Sequence, residues 1–134
     1  MRVAQWNAQF SSGPSEVYRA LSTPLGRSRY WAESADERDG VIRFVVPDGR
    51  TDDSRIEHAV KDELYQLRYF GRTITFTLTP DESGGTHLAL SCDDPDGRYD
   101  ADHVALLLRL KAFVDFGVDL RNHDKSRTTD YADS

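Results

Sequence analysis

With 134 residues, 38% apolar and 30% charged, the chain is long enough for one domain that buries its own core, yet its surface must be strongly hydrated. A net charge of −6 without any basic run argues against nucleic acid and against an anionic membrane surface as partners. One cysteine, Cys92, excludes an internal disulfide, no stretch reaches the roughly 18 apolar residues of a membrane span, and Met1–Phe10 has neither a leader nor an anchor pattern, so the expected compartment is the cytoplasm.

Val3 to Phe10 reads as a short first strand. Ser12 or Gly13 then caps a helix that has Pro14 at its first position, Glu16 in its first turn, and Val17, Tyr18, Ala20 and Leu21 at amphipathic spacing. Pro24 closes that helix, a further helical turn runs from Leu25 to Arg29, and Tyr30-Trp31 leads into extended chain. From Trp31 to Cys92 the period changes to two. Val41 to Val46 is β-branched and aromatic and closes at Pro47-Asp48-Gly49. Arg55 to Lys61 sets Ile56, His58 and Val60 against Arg55, Glu57 and Ala59, which places His58 inward. Leu64 to Phe70 turns Tyr65, Leu67 and Tyr69 to one face. Thr73 to Thr79 turns Ile74, Phe76 and Leu78 inward and its threonines outward. Ser83-Gly84-Gly85 makes a hairpin loop, after which Leu88, Leu90 and Cys92 share a face. Alternating strands this closely spaced predict an antiparallel meander with one wet face.

The last element differs. Asp102 to Phe116 lacks Gly and Pro, has Asp100 or Asp102 at its positive end and is closed by Gly117. Its stripe of His103, Leu107, Leu110 and Val114 is flanked by so many other apolar residues that more than one side needs cover, which leans towards a homodimer. One domain is expected over residues 1–120, followed by a polar tail, 121–134, whose Arg121-Asn122-His123-Asp124 either stays in solvent or folds back on the sheet or on a second subunit. The predicted class is α+β: a curved antiparallel sheet of about six to seven strands, two short helices after the first strand, and a long C-terminal helix over the sheet.

Particular residues carry a resemblance. Ser15-Glu16-Val17-Tyr18-Arg19-Ala20-Leu21-Ser22-Thr23-Pro24 is similar to the "V-W-x-A-L-T-x-P" opening helix of the START-like superfamily (SRPBCC, Bet v-like, helix-grip fold), and Tyr30-Trp31 to the "R-W-W" that follows it. Thr73 to Leu90 is similar to its "V-T-F-x-L-x-P…G-G-T-x-L-x-L" hairpin, and Leu107, Leu110-Lys111 and Gly117 to the close of its last helix. Over residues 5–120 the order and spacing resemble most closely the branch of heat-shock ATPase activator homologues (Aha-type). Two positions depart from that pattern: His103 stands where the family often has Trp, and Cys92 where it often has His.

The resemblance implies a cavity for an apolar or aromatic small molecule between sheet and last helix. Trp31, Phe44, Tyr69, Phe76, Leu90 and Leu107 point there, with His58, Tyr65 and His103 as the polar groups that orient the ligand. The same aromatic stripe reads equally as a solid core, and the two histidines as satisfied, partly buried side chains. Cys92 would act as a nucleophile only beside a base that lowers its pKa, a role no motif of the family supports, and it reads as a core thiol. The acidic stretch Asp93–Asp102 lacks the register of a calcium loop, no His/Cys cluster has zinc spacing, and Ser83-Gly84-Gly85-Thr86 opens no helix, so neither metal nor cofactor is expected and no residue is assigned a catalytic role. Three functions follow in order of support: a ligand-binding module, a chaperone-binding protein of the ATPase-activator kind, and an enzyme of the polyketide cyclase or dehydratase kind.

Overall fold

Seven strands and three helices follow one another as β1 (Ala4–Phe10), α1 (Pro14–Ser22), α2 (Pro24–Ser28), β2 (Ser34–Arg38), β3 (Val41–Val45), β4 (Thr51–Val60), β5 (Leu64–Tyr69), β6 (Arg72–Pro80), β7 (Thr86–Cys92) and α3 (Asp100–Phe116). They are seen in a computed structural model that describes residues 3–47, 49–93 and 96–123. From β2 to β7 every strand pairs antiparallel with its neighbour in sequence, and β1 adds to the free edge of β7, giving the sheet order β1-β7-β6-β5-β4-β3-β2. The sheet is curved, with α3 over it, so the expected helix-grip architecture is the one observed.

Local chemistry explains most boundaries. Asp39-Gly40, both at positive φ (53° and 77°), make the tight turn between β2 and β3. Phe70-Gly71 (45° and 78°) make the one between β5 and β6, where a bulky residue is held left-handed while its N–H donates to the Asp52 carboxylate at 3.1 Å. In β6 the alternation is as read from sequence, with Ile74, Phe76 and Leu78 buried. Gly13 caps α1, and Thr23 ends it. Pro24 then opens α2 at once, the Thr23 hydroxyl accepting from the Gly26 N–H at 3.1 Å.

Helix α3 begins two residues earlier than expected. Tyr99 occupies the cap position without a side-chain bond, and Asp100 and Asp102 lie in the first turn, where they favour the positive helix end. Gly117 closes the helix at φ 66°, its N–H reaching the Phe113 carbonyl at 2.9 Å. Near that end the Asp115 carboxylate accepts from the N–H groups of Ser11 (3.0 Å) and Ser12 (3.1 Å) and pairs with Lys111 (3.2 Å), tying α3 to the turn after β1. The Lys111 ammonium also donates to the Gln9 carbonyl. His103, Leu106, Leu107 and Leu110 face the sheet, whereas Val104, Leu108 and Phe116 are exposed.

One expectation, the inward placement of His58, needs correction, and two others are completed by the structure. Strand β2 is polar and lies at the sheet edge, so its sequence showed no alternation to read. Second, His58 does not face inward. A bulge between Ile56 and His58 inserts one residue into β4, so Ile56 still opposes inward-facing Leu67 while His58 opposes Gln66. The single-residue slip exchanges the faces, leaving His58 and Val60 exposed. Third, of the two courses expected for the segment that starts at Arg121, this residue follows the one that returns to the body: its side chain, 5% exposed, donates to the carbonyls of Ala32 (2.9 Å) and Ser28 (2.8 Å). The rest of the expected tail, 124–134, and Asp48, Asp94 and Pro95 of the expected loops lie outside the described residues. No helix among the described residues is long and apolar enough to cross a membrane.

Candidate functional site

Between sheet and helix the inward faces of three strands bring aromatic rings together. Phe44 comes from β3, Tyr69 from β5 and Phe76 from β6, while the segment after α2 dips to insert Trp31, whose backbone N–H donates to the Arg27 carbonyl at 2.9 Å. Trp31 lies with its ring centroid 4.8 Å from Phe44 and 5.6 Å from both Tyr69 and Phe76; Phe44 and Tyr69 are 4.9 Å apart. These are edge-on and tilted contacts of the favourable kind. Leu90, opposite Phe76 in the β6–β7 ladder, and Leu107 of α3 belong to the same buried cluster. Thus seven of the nine expected site residues, Tyr65 among them, share one interior.

Tyr65, opposite Phe76 in the β5–β6 ladder and part of the same buried cluster, lies edge-on to Tyr18 at 5.8 Å, and its hydroxyl accepts from Arg27. Burial raises its pKa to about 12 against the opposing charge of Arg27. The two histidines are placed differently. His103 is buried on α3, its Nε2 accepting from the Nε of Arg72 at 3.1 Å, with the Trp6 ring 5.4 Å away. His58 stands on the outward side of β4.

Sequence reasoning missed the arginines of the interior. Arg27 is fully buried and donates to the carbonyls of Ala35 (2.8 and 3.2 Å) and Leu21 (3.1 Å) and to Tyr65 (3.3 Å), with Glu37 at 3.9 Å. It locks α2 to β2 and β5. Arg72, 8% exposed, lies over the rings of Tyr99 (3.8 Å) and Tyr69 (5.3 Å). Arg109 donates from α3 to the Tyr30 carbonyl at 2.8 Å, and burial lowers its pKa. Arg72 could have been found: it has the inward parity of Ile74 and Phe76. Arg27 offered no such signal, because a charged residue in a short polar helix reads as surface.

Polar donors are also left over inside. The Trp31 indole N–H is buried and completes no hydrogen bond, though it lies close enough to the Tyr69 hydroxyl to favour its ionised form. Burial nevertheless raises the Tyr69 pKa, against Trp31 and the charges of Arg72, Arg109 and Arg50. An open groove of about 730 Å³ lies elsewhere, between α1, α2 and the end of α3, with Pro14, Glu16, Arg19, Leu25, Arg29 and Phe113 in its walls. None of the nine expected residues lines it.

Comparison of folds gives the class. A structural-genomics protein of Staphylococcus saprophyticus superposes with a TM-score of 0.75 at 20% identity, over 90% of this chain and 96% of that one. The solution structure of the Aha1 dimer from Colwellia psychrerythraea does so with 0.75 at 18%, over 87% and 98%. DynU16, a protein of the dynemicin biosynthetic locus, gives 0.76 at 16%, over 90% of this chain and 50% of that one. No sequence-family model matches the chain, and no curated protein matches it by sequence. The chain therefore has the helix-grip fold of the START-like proteins. Within that class its likeness extends to an Aha1 structure, as the motifs had indicated; at these identities the likeness concerns the fold.

Proposed function

We propose that the domain binds an apolar or aromatic small molecule between the sheet and α3, among Trp31, Phe44, Tyr69 and Phe76. The observation that carries this reading is the Trp31 indole N–H, a donor buried in an aromatic cluster without a completed hydrogen bond. A buried unsatisfied donor costs about 1–3 kcal/mol, a cost removed when a ligand brings an acceptor. The rings are packed against one another, so entry requires them to separate, and apolar burial at about 25 cal/mol per Å² supplies the affinity. Native mass spectrometry of the freshly purified protein tests this. A retained small-molecule mass that disappears on denaturation is expected; a bare chain mass from repeated preparations would count against it.

A second reading, self-association, is favoured by the uncovered apolar side of α3, where Val104 is 38%, Leu108 54% and Phe116 70% exposed. The Aha1 neighbour from Colwellia is itself described as a dimer. The chaperone-binding reading has only likeness of fold behind it. Cyclase or dehydratase chemistry needs an acid and a base facing one substrate. His58 stands outward on β4 and His103 is buried on α3, an arrangement that does not favour that reading.

A further inference from the structure

The chain carries six net negative charges, yet it gathers cations around one buried hydroxyl. Arg72, Arg109 and Arg50 all act on Tyr69. Of these, Arg72 is the most unusual. It opens β6 directly after the Phe70-Gly71 turn, at the inward-facing position. Its Nε donates to His103, its plane lies against Tyr99, and its Nη1 is buried with no hydrogen-bond partner. No ion pair of the described residues includes Arg72. A guanidinium in the interior is normally matched by a carboxylate or a full set of acceptors, because desolvating an unmatched charge costs several kcal/mol. Neutral imidazole and aromatic faces compensate only part of that cost.

We propose that Arg72 is an anion-reading subsite at one end of the aromatic interior, and that the ligand is an aromatic or apolar carboxylate. The proposal rests on the small-molecule reading above and narrows its chemistry. The aromatic body of the ligand lies among Trp31, Phe44, Tyr69 and Phe76. Its carboxylate meets the free Nη1 of Arg72 beside Tyr69. A planar fork suits a carboxylate better than any point charge does. His103, accepting from Nε, fixes the orientation of the guanidinium so that Nη1 keeps its direction. Tyr99, partly exposed and stacked on the guanidinium, is the side chain that must lift for the anion to enter.

Two probes that differ only in charge test this: 1-naphthaleneacetate and the neutral 2-(1-naphthyl)ethanol, each titrated calorimetrically into the full chain at low ionic strength. The wild-type protein is expected to bind the acid about tenfold more tightly than the alcohol. Arg72→Gln should abolish the roughly tenfold preference, so that acid and alcohol bind alike within that variant, while Arg72→Lys should keep part of the preference. Equal affinity for both probes in the wild-type protein overturns the subsite and leaves the aromatic cavity standing. Retention of the preference in Arg72→Gln overturns it as well. Binding of neither probe removes the cavity reading and the subsite with it. Should Arg72→Gln fail to fold, the wild-type comparison decides alone.

Discussion

Asp115 illustrates how one side chain can hold two elements together. Burial pushes its carboxyl upward, but hydrogen bonds from the N–H groups of Ser11 and Ser12 and from Lys111 outweigh this and bring the pKa below its ordinary 3.8. A group whose folded pKa is depressed contributes stability above the unfolded value, and that contribution is lost as pH falls through the folded one. Asp115→Asn should therefore cost about 1–3 kcal/mol at neutral pH, since a neutral amide oxygen accepts less strongly and its NH₂ faces donors. The gap to the wild-type protein should narrow as pH falls below the ordinary carboxyl value of 3.8 and through the lower folded one. Urea unfolding across that range checks it, and a gap independent of pH would show that the carboxylate charge is immaterial. Neither this contact nor those of Arg27 had a signature in the sequence, whereas Arg72 shares the inward parity of Ile74 and Phe76. Charged side chains are read as surface because most are, and only the fold reveals which ones the backbone encloses.

At the scale of elements the sequence was informative wherever a period survived. Ile74, Phe76 and Leu78 against the threonines of β6, and the run closed by Gly117, were sufficient to place strand and helix. The period failed in two places for separate reasons. Strand β2 buries only Ala35, so its pattern never rises above that of a loop. In β4 the pattern is present but the bulge inverts it, which removed His58 from the interior. The aromatic part of the candidate site was thus legible through parity, as was the inward position of Arg72, whereas Arg27 was not. Close packing between elements makes a further prediction. A Cβ at Gly85 would stand 2.3 Å from the Phe10 carbonyl, where the β6–β7 hairpin closes against β1. Gly85→Ala must push these strands apart and should cost about 1–3 kcal/mol, read as a lowered urea midpoint. An unchanged midpoint would mean the strands have slack there.

For the molecule as a whole, the uncovered side of α3 is the main open surface question. Leu108→Glu places a charge in the middle of it while leaving Leu106, Leu107 and Leu110 on the sheet side untouched. If two copies meet through this face, sedimentation should show a dimer in the wild-type protein and a shift of at least about tenfold towards monomer in the variant, with stability of the monomer within about 0.5 kcal/mol. A wild-type monomer at high concentration would dismiss the contact.

The strand order has a consequence for the way the chain assembles. Six strands can zip hairpin by hairpin as they leave the ribosome, but β1, made first, has no partner until Cys92 has emerged, since Ala4 pairs with Cys92 and Phe10 with Thr86. Its loop is the longest to close in the sheet, so this closure carries the largest entropic cost. During synthesis the nascent N-terminal strand is therefore the segment most in need of shielding, and its docking is the step that completes the sheet.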